Sequence, residues 1–197
     1  MLDVIIVLRT LTRIFDAQGI SYMVGGSVAS SAHGAVRATN DVDIVADMRE
    51  EHIAAFVEAL EGAYYVDDEM IRDAMHEESS FNVIYLDKMT KADIFIKQKS
   101  AWVDVEWSRR RIESVGGEEA DAISVYVASP EDMILQKLRW FRMGGGVSDR
   151  QWGDITGMLK VRQPELDYAY LKQWAAYLTL TDLLAQAYDD SGITESA

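Results

Sequence analysis

The sequence predicts an α/β fold: a mixed α/β unit over residues 1–128, an all-helical unit over 129–190 and a disordered tail over 191–197. Three observations carry this expectation. Asp41-Val42-Asp43-Ile44-Val45-Ala46 alternates acids with apolar residues at period two, the pattern of a half-buried strand. Residues 2–17 and Glu50–Leu60 place their apolar residues at helical spacing, so helices and strands interleave in the first half. From Pro130 onward the apolar pattern is helical.

Taken in order, Ile5, Leu8, Leu11 and Phe15 share one face of the first helix, and Gly19 is its stop. Residues 20–24 form a short β-prone run that ends in Gly25-Gly26, and residues 27–32 are small and helix-compatible, giving strand, glycine turn, helix. The strand Asp41–Ala46 sets both carboxylates on one face and leaves an apolar face for the core. Glu50–Leu60 aligns Ile53, Phe56, Val57 and Leu60 in a stripe, and Gly62 ends it. A strand at 64–66, a helix at 69–75 and strands at 81–86 and 92–96 follow, with 87–91 as a hairpin turn. Beyond 102–111 lie an acidic, glycine-bearing loop at 116–121 and the β-rich run Ile123–Val127. Ser129 is an N-cap with Pro130 at the first helical position, and Gly144-Gly145-Gly146 breaks the helix they open. Ser148 or Asp149 caps the next helix, Pro164 ends its neighbourhood, and helices at 167–178 and 181–188 complete the chain.

Composition excludes several function classes. With 19 Lys+Arg against 33 Asp+Glu the net charge is −14, the opposite of a dedicated nucleic-acid binder, whose affinity comes from a basic surface. The chain has no cysteine, so disulfides, thiolate nucleophiles and Cys-ligated metals are ruled out, and a reducing compartment is expected. Asp3 stands where a signal peptide carries basic residues, and the first apolar run stops at Arg9, so the expected location is cytoplasmic. Hydrophobic residues at 49% are enough to close one or two cores.

The sharpest constellation is Gly25-Gly26-Ser27, then Asp41-Val42-Asp43, then Asp93. Adjacent glycines after a strand let the backbone approach a phosphate, and a serine hydroxyl at the following helix start can donate to it. Two aspartates at i and i+2 on one strand project side by side; a third on a neighbouring strand completes an oxygen-rich site for a hard cation such as Mg²⁺. Two such ions about 4 Å apart can clamp the attacking and leaving oxygens of a phosphoryl displacement. Each part alone is also what an ordinary strand-to-helix turn or a solvated edge strand would show; order and spacing are what join them.

In that order and spacing the chain resembles the DNA polymerase β-like nucleotidyltransferase superfamily. Residues 25–44 look like its minimal bacterial and archaeal members, including the toxin component of AbiE-type toxin–antitoxin systems, and His33-Gly34, Arg37 and Thr39 fit that spacing. Lys137 with Arg139, then residues 148–155 with Asp149 and Asp154, are similar to a downstream helix lysine followed by a helix opening with acids. The resemblance implies a nucleotidyltransferase-like mixed β-sheet flanked by helices with a C-terminal helical bundle. It also implies transfer of a nucleoside monophosphate from an NTP to a hydroxyl of tRNA, protein or a small molecule, with Mg²⁺ or Mn²⁺ as cofactor. An antitoxin protein is then a partner, and a noncatalytic NTP-binding regulatory or interaction protein on the same fold is the alternative.

By that resemblance Asp41, Asp43 and Asp93 are the metal ligands and catalytic carboxylates, Asp93 also helping to deprotonate the acceptor. Gly25, Gly26, Ser27, Arg37, Lys137 and Asp154 belong to the nucleotide site. Lys137 reads equally as a phosphate-binding point charge or a solvent-facing helix lysine. Asp149 reads as an N-cap and His33 as a helix C-terminal residue. Arg109-Arg110-Arg111 with Lys97 and Lys99 is the basic cluster, either a guide for phosphates or a solvated face. Trp140 and Trp152 flank the lysine and aspartate segments, as packing or as a stacking surface.

Overall fold

A computed structural model of the chain describes residues 2–33, 41–116 and 122–193. In chain order its elements are α1 (Leu2–Gln18), β1 (Tyr22–Val24), α2 (Gly26–Ala32), β2 (Asp41–Ala46), α3 (Glu50–Leu60), β3 (Tyr64–Tyr65), α4 (Asp68–Glu77), β4 (Ser80–Tyr85), β5 (Thr90–Ile96), α5 (Ala101–Arg109), β6 (Arg111–Val115), β7 (Ile123–Val127), α6 (Pro130–Met143), α7 (Asp149–Arg162), α8 (Tyr168–Tyr177) and α9 (Thr181–Ser191). The strands of the described residues form one mixed sheet in the order β3-β4-β5-β2-β1-β7-β6, in which β2 runs parallel to β5 and β1 parallel to β7.

Alternation sorts the two faces of this sheet. Val42, Ile44 and Ala46 of β2 are fully buried, and register sets Ile44 beside Ile94 of β5 and Ile94 beside Phe81 of β4. Phe56 of α3 meets Phe81 edge-on at 6.2 Å and stacks on Phe15 of α1 at 5.5 Å, so α1 and α3 cover this face. Fully burying each such ring contributes about 2 kcal/mol. The same register places Asp43, Asp93 and Asn82 side by side on the opposite face.

The helical part closes over one end of that second face. Ser129 caps α6, its Oγ accepting from the Asp132 amide at 3.2 Å, as the Ser-Pro pair predicts. Trp140 of α6 packs edge-on against Phe95 of β5 at 5.9 Å. A polar junction docks α8 and α5 onto α6. Arg109 reaches Glu131 at 2.9 Å and Asp132 at 3.2 Å and stacks on the Tyr170 ring, while Tyr170 Oη donates to Asp132 at 2.5 Å. Beside it Gln136 donates to the buried Glu106 at 2.6 Å.

Several expectations change. The stretch 102–111 forms α5 and opens β6, an exposed edge strand. The basic cluster is split: Arg109 sits in the junction, Arg110 lies over the Trp107 and Tyr126 rings and Lys97 pairs with Asp104, while Lys99 and Arg111 are exposed. Ser148, not Asp149, is the N-cap of α7, accepting from the Gln151 amide. The last helix runs on to Ser191, and Ile193 beyond it is buried. No helix among the described residues is long and apolar enough to cross a membrane.

Candidate active site

The site begins where β1 ends. Val24 pairs with Ile44 of the antiparallel neighbour β2, and the next amide, Gly25 N–H, donates to the Asp43 carbonyl at 2.8 Å. The chain then turns into α2 through Gly26 at φ +57°, where a Cβ would fall 1.8 Å from Asp43 Oδ2. The absence of a side chain at Gly26 is what admits the Asp43 carboxylate. In α2 the hydroxyls of Ser30 and Ser31 donate to the Gly26 and Ser27 carbonyls, so a serine-rich segment satisfies its polar groups inside the helix. His33, the C-cap of α2, is buried with Nε2–H donating to the Ala128 carbonyl at 2.8 Å, and burial holds its pKa below the ordinary value. Arg162 at the end of α7 donates to the Ala32 carbonyl at 2.9 Å. The C-terminal end of α2 is thus anchored to the start of the helical part and to α7.

Parallel pairing of β2 with β5 puts Asp43 directly beside Asp93 and Asp41 beside Lys91. Burial pushes the Asp43 carboxyl up to about 6, and the Asp93 and Asp41 charges push in the same direction; Lys137 and Lys91 offset part of this. Asp93 Oδ2 lies 2.8 Å from Lys91 Nζ. Lys137 of α6 is buried, its Nζ 2.8 Å from Asp154 Oδ2 of α7, so the predicted lysine is neither solvent-facing nor isolated. Asp154 is itself buried, and its carboxylate orients the lysine. Gly34, Arg37 and Thr39 lie outside the described residues.

Among the described residues no three His, Cys, Asp or Glu side chains converge closely enough to hold a metal by themselves. The donor set nevertheless suits Mg²⁺. This ion is commonly held by one or two carboxylates with substrate phosphates and water completing its shell. Beyond burial, the Asp93 and Asp41 charges also raise Asp43, and that negative charge is what a divalent cation would neutralise. Sequence reasoning missed Lys91, whose position two residues before Asp93 on a strand is the signal that would have found it.

A mixed sheet with helices on both faces and acids on its central strands, joined to a helical bundle, is a nucleotidyltransferase fold. The chain is similar to the antibiotic-resistance factor ANT(2″)-Ia in solution, with a TM-score of 0.52 at 14% identity over 94% of this chain and 93% of that one. It is similar to the same factor in complex with adenylyl-2″-tobramycin, at 0.55 and 13% identity over 89% and 96%. A third neighbour is an antigenic nucleotidyltransferase-like protein from Paracoccidioides brasiliensis, at 0.55 and 16% identity over 94% and 92%. No protein-family model and no curated protein sequence matches the chain. What these neighbours share with it is the fold, and substrate choice rests on the site.

Proposed function

We propose that this protein is an NTP-dependent nucleotidyltransferase that moves a nucleoside monophosphate to an acceptor hydroxyl and releases pyrophosphate. The observation that carries the reading is the in-register pair Asp43–Asp93 set against the Gly25-Gly26 turn, where burial first and the neighbouring Asp93 and Asp41 charges second raise Asp43 to about 6. Asp41, Asp43 and Asp93 would hold Mg²⁺ or Mn²⁺, which supplies charge neutralisation at the phosphate oxygens. Asp93 accepts the proton of the acceptor hydroxyl as its oxygen bonds to the α-phosphorus and the bond to pyrophosphate breaks. Gly25, Gly26 and Ser27 face the triphosphate, Lys137 meets a phosphate as a point charge, and Asp154 fixes the lysine in place. Arg37 belongs with the nucleotide contacts.

The acceptor class we favour is a cationic small molecule. Net charge −14 attracts such a ligand, and three of the five basic side chains that would have guided tRNA, Lys97, Arg109 and Arg110, are engaged within the fold. Adenylyl-2″-tobramycin in the ANT(2″)-Ia complex is consistent with that choice. The test is incubation with each α-labelled NTP and Mg²⁺, in the presence of aminoglycosides, total tRNA or lysate protein, beside Asp43→Asn and Asp93→Asn. Label on an aminoglycoside that both variants abolish supports the reading. Label on tRNA or protein keeps the enzyme and moves it toward a toxin, whose antitoxin would suppress the reaction. Metal-dependent NTP binding without transfer makes it a regulator instead.

A further inference from the structure

Lys91 precedes Asp93 by two residues on β5, and strand alternation therefore puts both side chains on the face that carries Asp43. Its ammonium stands 2.8 Å from Asp93 Oδ2, and its backbone neighbour across the parallel ladder is Asp41. The lysine side chain is 44% exposed and the aspartate 20%, so the ammonium covers the carboxylate from the solvent side. Lys137, the other ammonium that acts on Asp43, is held by Asp154. Among the described residues Lys91 is the more exposed of the two lysines acting on Asp43, on a long flexible stem and with three donors to redirect.

An ammonium and a divalent cation on one carboxylate oxygen repel each other, so each weakens the binding of the other. We propose that Lys91 is the resident counter-ion of the Asp43–Asp93 pair: its ammonium holds Asp93 Oδ2 in the cation-free protein and competes with a divalent cation for that oxygen. Free cation is therefore taken up weakly, and the site fills together with a nucleotide whose phosphates receive the displaced ammonium. Lys91 is a positioning residue that keeps three carboxylates together at rest and orders the arrival of the ligands. The inference rests on the reading of β2 and β5 as the cation-holding strands of a nucleotidyltransferase.

Binding of Mn²⁺ alone to the full chain, followed by electron paramagnetic resonance without nucleotide, tests it. Lys91→Met is expected to bind Mn²⁺ about fivefold more tightly than the wild type, the scale of an exposed ion pair. Its melting temperature should also rise more on adding Mn²⁺ than that of the wild type. Lys91→Gln should behave alike, and circular dichroism verifies that both fold. The gain should vanish in the Asp93→Asn background and be absent in Lys88→Met, which removes one positive charge from the turn after β4. Unchanged or weaker Mn²⁺ binding in both Lys91 variants overturns the proposal, as does an equal gain in Lys88→Met or a gain that survives Asp93→Asn. If wild-type binding is lost in Asp43→Asn while the Lys91 variants match the wild type, the nucleotidyltransferase reading stands and only the role of Lys91 falls. If Mn²⁺ binding is absent throughout, the role of Lys91 falls; if it remains absent, or indifferent to Asp43, after an NTP is added, the two fall together.

Discussion

Gly26 and Asp43 share one volume: a Cβ on Gly26 would sit 1.8 Å from Asp43 Oδ2, 2.6 Å from Cγ and 3.0 Å from Cβ. Rotating the carboxylate relieves the first two clashes but not the third, because the Asp43 Cβ is fixed to β2. Gly26→Ala should therefore cost about 1–2 kcal/mol through the positive φ alone. It should also swing Asp43 away from Asp93. Nucleotide transfer should fall by at least tenfold while the fold persists, a combination read from single-turnover rates beside urea denaturation.

The Asp43 carboxyl titrates at about 6 in the fold against 3.8 in the unfolded chain, so the fold disfavours its charged form. The stability tied to its protonated state is complete below pH 3.8 and is lost as pH rises through about 6. Asp43→Asn, which cannot ionise, should be more stable than the wild type by about 1–3 kcal/mol at pH 7.5 and close to it at pH 4. Transfer should vanish in the same variant. Denaturation midpoints at the two pH values check the first half, and a variant less stable at pH 7.5 would contradict it.

Much of this site was legible because its signals are local. The Asp-Val-Asp-Ile-Val-Ala alternation fixes which face of β2 is acidic, and the Gly-Gly pair marks the turn into α2. The Ser129-Pro130 start of α6 is equally local. What the sequence hides depends on pairing between distant segments. Asp43 meets Asp93 only because β2 and β5 run parallel and in register, and Lys137 meets Asp154 only because α6 packs on α7. Residues 101–115 mix apolar and charged residues, and their strand is a polar edge with Arg111, Ile112 and Ser114 exposed. Glu106, a charge on a short helix, carries no local sign of being buried; the junction with α6 buries it.

The Lys137–Asp154 pair allows structure and chemistry to be separated. Lys137→Met leaves a buried carboxylate without its lysine and should destabilise the protein by about 3 kcal/mol. Lys137→Met combined with Asp154→Leu removes both charges and should recover most of that stability. If Lys137 also meets a phosphate, the double variant will remain unable to transfer nucleotide although it is stable again. Recovery of transfer together with stability would reduce the lysine to a purely structural role.

Glu106 is 3% exposed, accepts from Gln136, and lies near the charge of Asp132; burial first and that charge second push its carboxyl up to about 8. Gln136 and Arg139 pull it the other way but less strongly. Against an unfolded value of 4.5, the stability of the protonated form is complete below pH 4.5 and is lost as pH rises through about 8. The junction between α5 and α6 should accordingly loosen in mild alkali. Glu106→Gln keeps an oxygen for Gln136 to donate to and removes the charge. It should therefore flatten the fall in urea midpoint between pH 5.5 and pH 8.5 and raise the midpoint at the upper end. A wild-type midpoint that does not fall across this range would contradict the destabilising charge on Glu106, and a variant that follows the same slope would assign the alkaline sensitivity to another group.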